Sequence, residues 1–176
     1  MITVLRLDHR VGRDTRITTH VCLTSRAFGA DKVILSGQQD NHIIESVERI
    51  VDNWGGDFQV EYDKNFMKVI REHKRNGFEV IHLTMYGKQV CDVIPDIRDN
   101  GKDKLIIVGG AKVPTEVYEE ADWNLSVTNQ PHSEVAALAI CLHYIMDGEE
   151  FNTVYEDSKM EIIPNNEFKE VINKRK

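Results

Sequence analysis

Val108-Gly-Gly-Ala-Lys-Val-Pro114 and Leu125-Ser-Val-Thr-Asn-Gln-Pro-His-Ser-Glu-Val-Ala-Ala137 decide the reading of this chain. The run that starts at Lys104 and ends at Val108 reads as a buried strand. Two glycines close it, and without side chains they let a ligand approach the backbone; a plain tight turn is the alternative. Val113-Pro114 then opens a short polar helix, and residues 122–127 form the next strand. Its exit loop presents Thr128, Asn129, Gln130, His132, Ser133 and Glu134 before an apolar helix begins at about Val135. An ordinary βαβ unit takes ~30 residues or more, so this return is unusually short. Two strand ends this close, with this density of donors and acceptors, mark a candidate site.

Outward from there, the chain alternates strands with helices. Residues 2–7 alternate like a strand and lead into Asp8-His-Arg-Val-Gly-Arg-Asp-Thr-Arg16, a polar stretch where an open parallel sheet carries its binding loops. Thr18 or Thr19 is placed to cap a helix reaching Phe28, with Gly29 to end it. Next come a strand at 31–35 and an amphipathic helix marked by Ile43, Ile44, Val47, Ile50, Val51 and Trp54, closed by Gly55-Gly56. A strand at 58–62 and a helix carrying Phe66, Met67, Val69 and Ile70 follow. Residues 78–83 are apolar enough for a central parallel strand, with Thr84-Met-Tyr-Gly-Lys88 read as a third ligand loop. Val90, Val93, Ile94 and Ile97 mark a short helix, and the long apolar helix ends near Met146 and Gly148. A hairpin is expected from strands at 152–156 and 160–163 joined by Asp157-Ser158-Lys159, then a basic helix or tail. The pattern predicts an α/β domain built on a mostly parallel sheet over residues 1–148. The hairpin and tail of residues 149–176 are too small to bury a core of their own and are appended to it.

With 176 residues, 41% hydrophobic and 29% charged, the chain has the make-up of one globular domain. No apolar run approaches the ~18 residues of a membrane span. The start, Met-Ile-Thr-Val-Leu-Arg-Leu-Asp-His-Arg10, lacks the order of a signal peptide, so a cytoplasmic protein is expected. Cys22, Cys91 and Cys141 form no Cys-x-x-Cys pair and read as small core residues; the alternative for Cys22, next but one to His20, is a nucleophile. The seven histidines show no metal-ligand spacing, and no metal is expected. A net charge of −7 argues against indiscriminate nucleic-acid binding. Residues 1–26, however, hold five arginines against two aspartates, a local +3 that leaves −10 for the remainder. A basic entrance on an acidic body suits a polyanion held over a limited surface; a salt-bridged surface loop is the alternative.

Eight separated motifs then agree in order and spacing with one family. Leu5-Arg-Leu-Asp-His-Arg10, Arg13-Asp14, Arg16, Thr18-Thr-His-Val21, Arg26-Ala-Phe-Gly-Ala30, His82-Leu-Thr-Met-Tyr-Gly87, Gly109-Gly-Ala-Lys-Val-Pro114 and residues 129–137 closely resemble the archaeal tRNA (cytidine-56) 2′-O-methyltransferases of the SPOUT superfamily. The resemblance implies a SPOUT-type trefoil-knotted, mostly parallel sheet flanked by helices, with S-adenosylmethionine as cofactor and tRNA as partner. The cofactor would be enclosed by Leu83 and Thr84, by Gly109, Gly110 and Ala111, and by Leu125, Val127, Asn129, Gln130 and Ser133. The family also implies a homodimer in which one subunit's first motif completes the other's site. The helix face of Val135, Ala136, Ala137, Ala139, Ile140 and Leu142 would lie along that interface, although plain core is a compatible reading. The alternatives are a SPOUT methyltransferase acting on another RNA, or a non-catalytic RNA-binding module of this fold.

Methyl transfer to a ribose hydroxyl needs an aligned acceptor, a group to take its proton and a hold on the neighbouring phosphate. A guanidinium fork matches phosphate geometry, which makes Arg16 the first choice as anchor, with Arg13 beside it. Relatives carry an asparagine and an arginine in this motif, the arginine with a proton-accepting role. Here Leu23 stands at the arginine's place, so that role would pass to Arg13, Arg16 or Arg26. An arginine base conflicts with its high pKa; His20 and His132 are easier proton acceptors. The alternatives are a helix-surface histidine for His20 and a helix cap for His132, while Ser133 reads as the cap of the last helix, with Glu134 in its first turn.

Overall fold

Alternation along two strands sets the layers of the computed structural model, which describes residues 1–110 and 112–174. In β1 (Ile2–His9) and β5 (Lys104–Val108), Val4, Ile106 and Val108 face one core, while Leu5, Leu7, Leu105 and Ile107 face another. Successive side chains of a strand point to opposite faces, so both faces of these strands must be covered. The helices divide accordingly. On one face lie α1 (Thr15–Ala27), α2 (Asn41–Trp54), α4 (Val90–Arg98) and α6 (Glu134–Met146), through Val21, Cys22, Ile43, Val47, Val93, Ile94, Leu138 and Leu142. On the other lie α3 (Phe66–Arg75) and α5 (Thr115–Glu120), through Val69, Ile70 and Val117.

The remaining strands of the sheet are β2 (Lys32–Gly37), β3 (Gln59–Tyr62), β4 (Glu79–Gln89) and β6 (Trp123–Ser126), all parallel, in the order β3-β2-β1-β5-β4-β6. The strand Lys104–Val108 read from the sequence is thus β5, buried throughout between β1 and β4. The short return from β5 brings β6 to the far side of β4, with which it pairs through Ile81↔Trp123 to Leu83↔Leu125. Every strand's carboxyl end points the same way, so the ends of β1, β4, β5 and β6 share one edge of the molecule.

Three expectations are corrected. Helix α1 begins at Thr15, one turn before Thr18 and Thr19; the Thr18 hydroxyl is buried and bonded to the His9 ring rather than free to cap. Residues 84–88 are not a loop beyond the strand, because β4 runs on to Gln89. Leu83 and Lys88 both oppose Leu125, so residues 84–87 make an excursion and the strand resumes. The Asn129 amide holds that excursion by donating to the carbonyls of Met85 (2.7 Å) and Gly87 (3.1 Å).

The third correction concerns the hairpin. It pairs β7 (Met160–Ile163) with β8 (Glu170–Asn173), antiparallel; 152–156 is not a strand, and the expected basic helix or tail is β8. Asp157-Ser158-Lys159 is not a turn between strands because it is committed to docking on α2. The Gly56 amide donates to the Asp157 carboxylate at 3.0 and 3.1 Å, and the Lys159 amide donates to the Asn53 carbonyl at 3.0 Å. Gly55-Gly56 makes that approach feasible: a Cβ on Gly56 would sit 2.5 Å from the Tyr155 ring. The turn falls instead where the Asn165 carboxamide oxygen accepts from the amides of Glu167 and Phe168. Among the described residues no helix is long and apolar enough to cross a membrane.

Candidate functional site

The carboxyl ends of β4, β5 and β6 enclose a cavity of about 480 Å³, within the ordinary range for small-molecule sites. Leu83 and Thr84 come from β4, Gly109 and Gly110 from the end of β5, and Pro131, His132 and Glu134 from the loop ahead of α6. A side chain at either glycine would meet a close neighbour, more severely at Gly109. A Cβ on Gly109 would lie 2.6 Å from Val113 Cγ2, and one on Gly110 would lie 3.2 Å from Asp8 Cβ. Their backbone therefore forms the cavity wall directly.

One side of the cavity is a small polar cluster that joins the expected Thr84 to His82, Tyr118 and Asn124, which the sequence reading did not propose for the site. His82 is buried, its Nδ1 meets Asn124 Oδ1 at 2.9 Å, and its ring stands edge-on to Tyr118 with centroids 4.5 Å apart. Burial lowers the pKa of His82 against the opposing hydrogen bond from Asn124, which favours the neutral ring near pH 7. The Tyr118 hydroxyl meets Thr84 Oγ1 at 3.3 Å. Lys112 and Tyr86 add an ammonium and an exposed ring at the rim.

Behind the wall lies Arg6, only 2% exposed. One guanidinium nitrogen donates to the Gly109 carbonyl and the other to the Glu134 carboxylate at 3.3 Å, so it joins β1, the glycine pair and the start of α6. Burial pulls its pKa down and Glu134 opposes that shift; its Nε has no partner among the described residues. Arg6 was quoted within a motif but not proposed for the site. A charge at the centre of an apolar strand was the available signal, since arginine is rarely buried unpaired.

A second hollow of about 430 Å³ lies between α1 and α6, lined by Arg13, Arg16, Ile17, His20, Ser133 and Val135. It brings together three of the four proposed catalytic residues, and His132 lies in the first cavity. Arg13, Arg16 and His20 are exposed, and their side chains make no hydrogen bond or ion pair among the described residues. Arg10 is bound by Asp14 at 2.7 and 3.1 Å. Arg26 is committed elsewhere, to the Gly55 carbonyl at 2.7 Å and the face of Tyr155 at 4.9 Å.

The remaining expected cofactor residues do not line this cavity, and Ser133 lines the second hollow instead. Leu125 is fully buried in β6, and Val127 packs against the core. Asn129 holds the β4 excursion, and Gln130 is exposed. Ser133 caps α6 by accepting from the Val135 amide at 3.2 Å. Ala111 lies outside the described residues. A nucleophilic Cys22 does not fit: burial pushes its thiol up to about 12. Among the described residues no group of three or more His, Cys, Asp or Glu side chains is arranged to hold a metal ion.

The six-stranded parallel sheet and its flanking helices have the fold of solved SpoU-type RNA methyltransferases. The SpoU methyltransferase AviRb from Streptomyces viridochromogenes, solved in complex with the cofactor AdoMet, matches with a TM-score of 0.60 at 13% identity, over 84% of this chain and 57% of that one. At the sequence level, a family profile described as tRNA ribose 2′-O-methyltransferase, aTrm56, matches residues 54–172. The tRNA (cytidine(56)-2′-O)-methyltransferase of Methanosphaera stadtmanae is 77% identical over 172 residues, 98% of either chain. That of Methanobrevibacter smithii is 57% identical over 163 residues, 93% of this chain and 91% of the relative. The chain belongs to the tRNA ribose 2′-O-methyltransferase family aTrm56.

Proposed function

We propose that this protein transfers the methyl group of S-adenosylmethionine to the ribose 2′-hydroxyl of cytidine 56 in tRNA. The 77% identity over 98% of the chain to a relative of that name carries the reading. The cavity's chemistry fits the cofactor. Leu83, Val108, Val113 and Ala137 offer apolar surface, Gly109 and Gly110 offer bare backbone, and Glu134 offers a carboxylate. This suits a flat base, a ribose and a cation better than a polyphosphate, and the phosphate-cradling glycine patterns are missing from the sequence.

The bound cofactor supplies an already activated methyl group. The protein's part is to hold the acceptor in line with it, keep water out and remove a proton. Arg16 and Arg13, free of partners and exposed, grip the phosphate beside the target ribose. His20 extends that grip, and His132 at the cavity faces the ribose. Arg6 keeps the glycine wall and α6 in register.

The reading includes a second copy of the chain. Helix α6 is predominantly apolar, and Ile140 and Tyr144 remain 42% and 38% exposed on it, a surface a partner's α6 would cover. In this reading the Arg13–Arg16 hollow of one subunit completes the other's cavity. The reading also includes a threaded chain, for which the placement of β5 between β1 and β4, and of β6 beyond β4, is the support, and a cytoplasmic location. The test is calorimetric titration with S-adenosylmethionine and with its demethylated product. Heat at one site per subunit is expected; no heat with either ligand refutes the reading.

A further inference from the structure

Strand β4 leaves its ladder in one place. Leu83 and Lys88 both oppose Leu125 of β6, so residues 84–87 stand out between them and carry Tyr86. An interruption of this kind forfeits strand hydrogen bonds and re-aims a side chain. This one is held firmly. The Asn129 amide spans it through the Met85 and Gly87 carbonyls at 2.7 and 3.1 Å, and the Tyr86 amide donates to Thr84 Oγ1 at 3.4 Å. Gly87 runs so close to β6 that a Cβ there would lie 2.2 Å from the Asn124 carbonyl oxygen. The side chain presented in this way is not packed: Tyr86 is 76% exposed, and its hydroxyl makes no hydrogen bond among the described residues.

The ring borders two hollows. One is the glycine-walled cavity; the other, of about 340 Å³, is shared with Gly87, Lys88, Asp122, Trp123 and Asn124. Lys88 is exposed, its ammonium 5.9 Å from the centre of the Trp123 ring, with no carboxylate partner among the described residues. Asp122 is engaged by the Val80 amide at 2.8 Å and by Lys74 at 3.6 Å. The free charge of this hollow is therefore positive, on a chain whose net charge is −7. Lys112, also exposed and unpaired among the described residues, lines the cavity on which the same ring borders. An exposed aromatic face flanked by cations suits an unpaired nucleotide, whose base stacks while its phosphates meet the cations.

Resting on the methyltransferase reading, we propose that Tyr86 is the platform on which the base of the acceptor nucleotide stacks, with Lys88 holding a phosphate beside it. The ribose C2′ that carries the reacting hydroxyl is bonded to C1′, which carries the base. A ribose brought to the mouth of the cavity therefore places its own base at the rim, where Tyr86 lies. Stacking uses the face of the ring, so the phenol needs no partner. In this role Tyr86 binds the substrate rather than the cofactor and takes no proton; it sets where the ribose rests against the methyl donor.

Tyr86→Phe keeps the ring face, whereas Tyr86→Leu keeps apolar bulk without it. Both are compared with wild type on unmodified tRNA transcript, with S-adenosylhomocysteine affinity by calorimetry as an independent readout. Tyr86→Leu is expected to lower kcat/KM for tRNA by about 5–150-fold, the equivalent of about 1–3 kcal/mol for a base–aromatic stack, with product affinity unchanged. Tyr86→Phe should stay within about threefold of wild type, since the stacking face is retained. A tRNA with a fluorescent cytosine analogue at position 56, whose emission is quenched by stacking, should be dimmer on wild type than on Tyr86→Leu. Lys88→Ala should make tRNA affinity less steep in log salt by about 0.7–0.9, one phosphate contact. Tyr86→Leu as active as wild type, or equal emission on both proteins, would overturn the role. Lost product affinity in Tyr86→Leu would also overturn it, by assigning the ring to the adenine of the cofactor. An unchanged salt slope would overturn the part given to Lys88. Wild-type protein that methylates no tRNA would refute the functional reading and this role with it, whereas equal transfer by wild type and Tyr86→Leu refutes the role alone.

Discussion

The two ends of the same sheet treat their polar groups in opposite ways. At the amino edge, Glu79 and Lys104 form a buried ion pair at 3.1 Å, with side chains 7% and 4% exposed. Every lobe of Glu79 is used: Asn100 donates to both oxygens at 2.9 Å and the Trp123 indole donates at 2.9 Å. At the carboxyl edge, Arg6 keeps an unpartnered Nε, Asp8 is strained and unpaired, and Arg13 and Arg16 have no partner among the described residues. At the amino edge the Glu79 carboxylate has no lobe left over for a ligand. Leaving the other edge unsaturated keeps groups free for a ligand that has yet to arrive.

Substitutions at the two edges should therefore separate stability from turnover. The largest effect is expected for Glu79→Ala, which removes the carboxylate that neutralises the buried Lys104 ammonium and leaves it only the neutral acceptors Asn100 Oδ1 (2.6 Å) and the Lys102 carbonyl (2.8 Å). A loss of about 3–5 kcal/mol in unfolding free energy is predicted for breaking a buried pair, read by urea titration, with kcat unchanged where the protein remains folded. Arg16→Ala should do the reverse. Losing a charged hydrogen bond of about 1.5–3 kcal/mol lowers kcat/KM for tRNA by about 10–150-fold, with cofactor affinity and urea midpoint at wild-type values. An unaffected rate would move the phosphate hold to Arg13. Gly109→Ala, whose methyl would crowd Val113, should weaken cofactor binding by about 5–150-fold, corresponding to strain of about 1–3 kcal/mol, as measured by calorimetry.

The smallest expected effect is in acid. Burial of Glu79 would raise its pKa, but the hydrogen bonds from Asn100, Trp123 and Lys104 outweigh this and hold it below the usual glutamate value. A group whose folded pKa is depressed contributes stability that is present above its unfolded pKa and lost as pH falls through the folded one. Wild-type protein should therefore lose stability progressively below about pH 4.3, the unfolded glutamate value, and Glu79→Gln should show a shallower slope in urea midpoints over that range. Equal slopes would remove Glu79 from the acid response.

Where periodicity and glycine placement were strong, the fold could be read from the sequence. Lys104–Val108 came out with its observed bounds, because a continuous apolar strand covered on both faces has little freedom to be anything else. The hairpin was misplaced because Asp157-Ser158-Lys159 has the composition of a turn, while its actual partners, Gly56 and Asn53, lie about a hundred residues away. The β4 excursion was missed for a related reason: Asn129, which stabilises it, is distant in sequence. The expected loops were recognisable at Leu83, Thr84, Gly109, Gly110 and His132, all of which line the cavity. Tyr118 and His82 were not, because an edge-on ring pair depends on three-dimensional proximity alone.

The central claim is that the free groups of the carboxyl edge serve methyl transfer to one ribose. It is tested most directly by incubating the protein with label-bearing S-adenosylmethionine and a tRNA transcript, beside the same tRNA carrying 2′-deoxycytidine at position 56. The account predicts one labelled 2′-O-methyl group at cytidine 56 in the first and none in the second. Equal labelling of both, or label confined to another nucleotide, would contradict it.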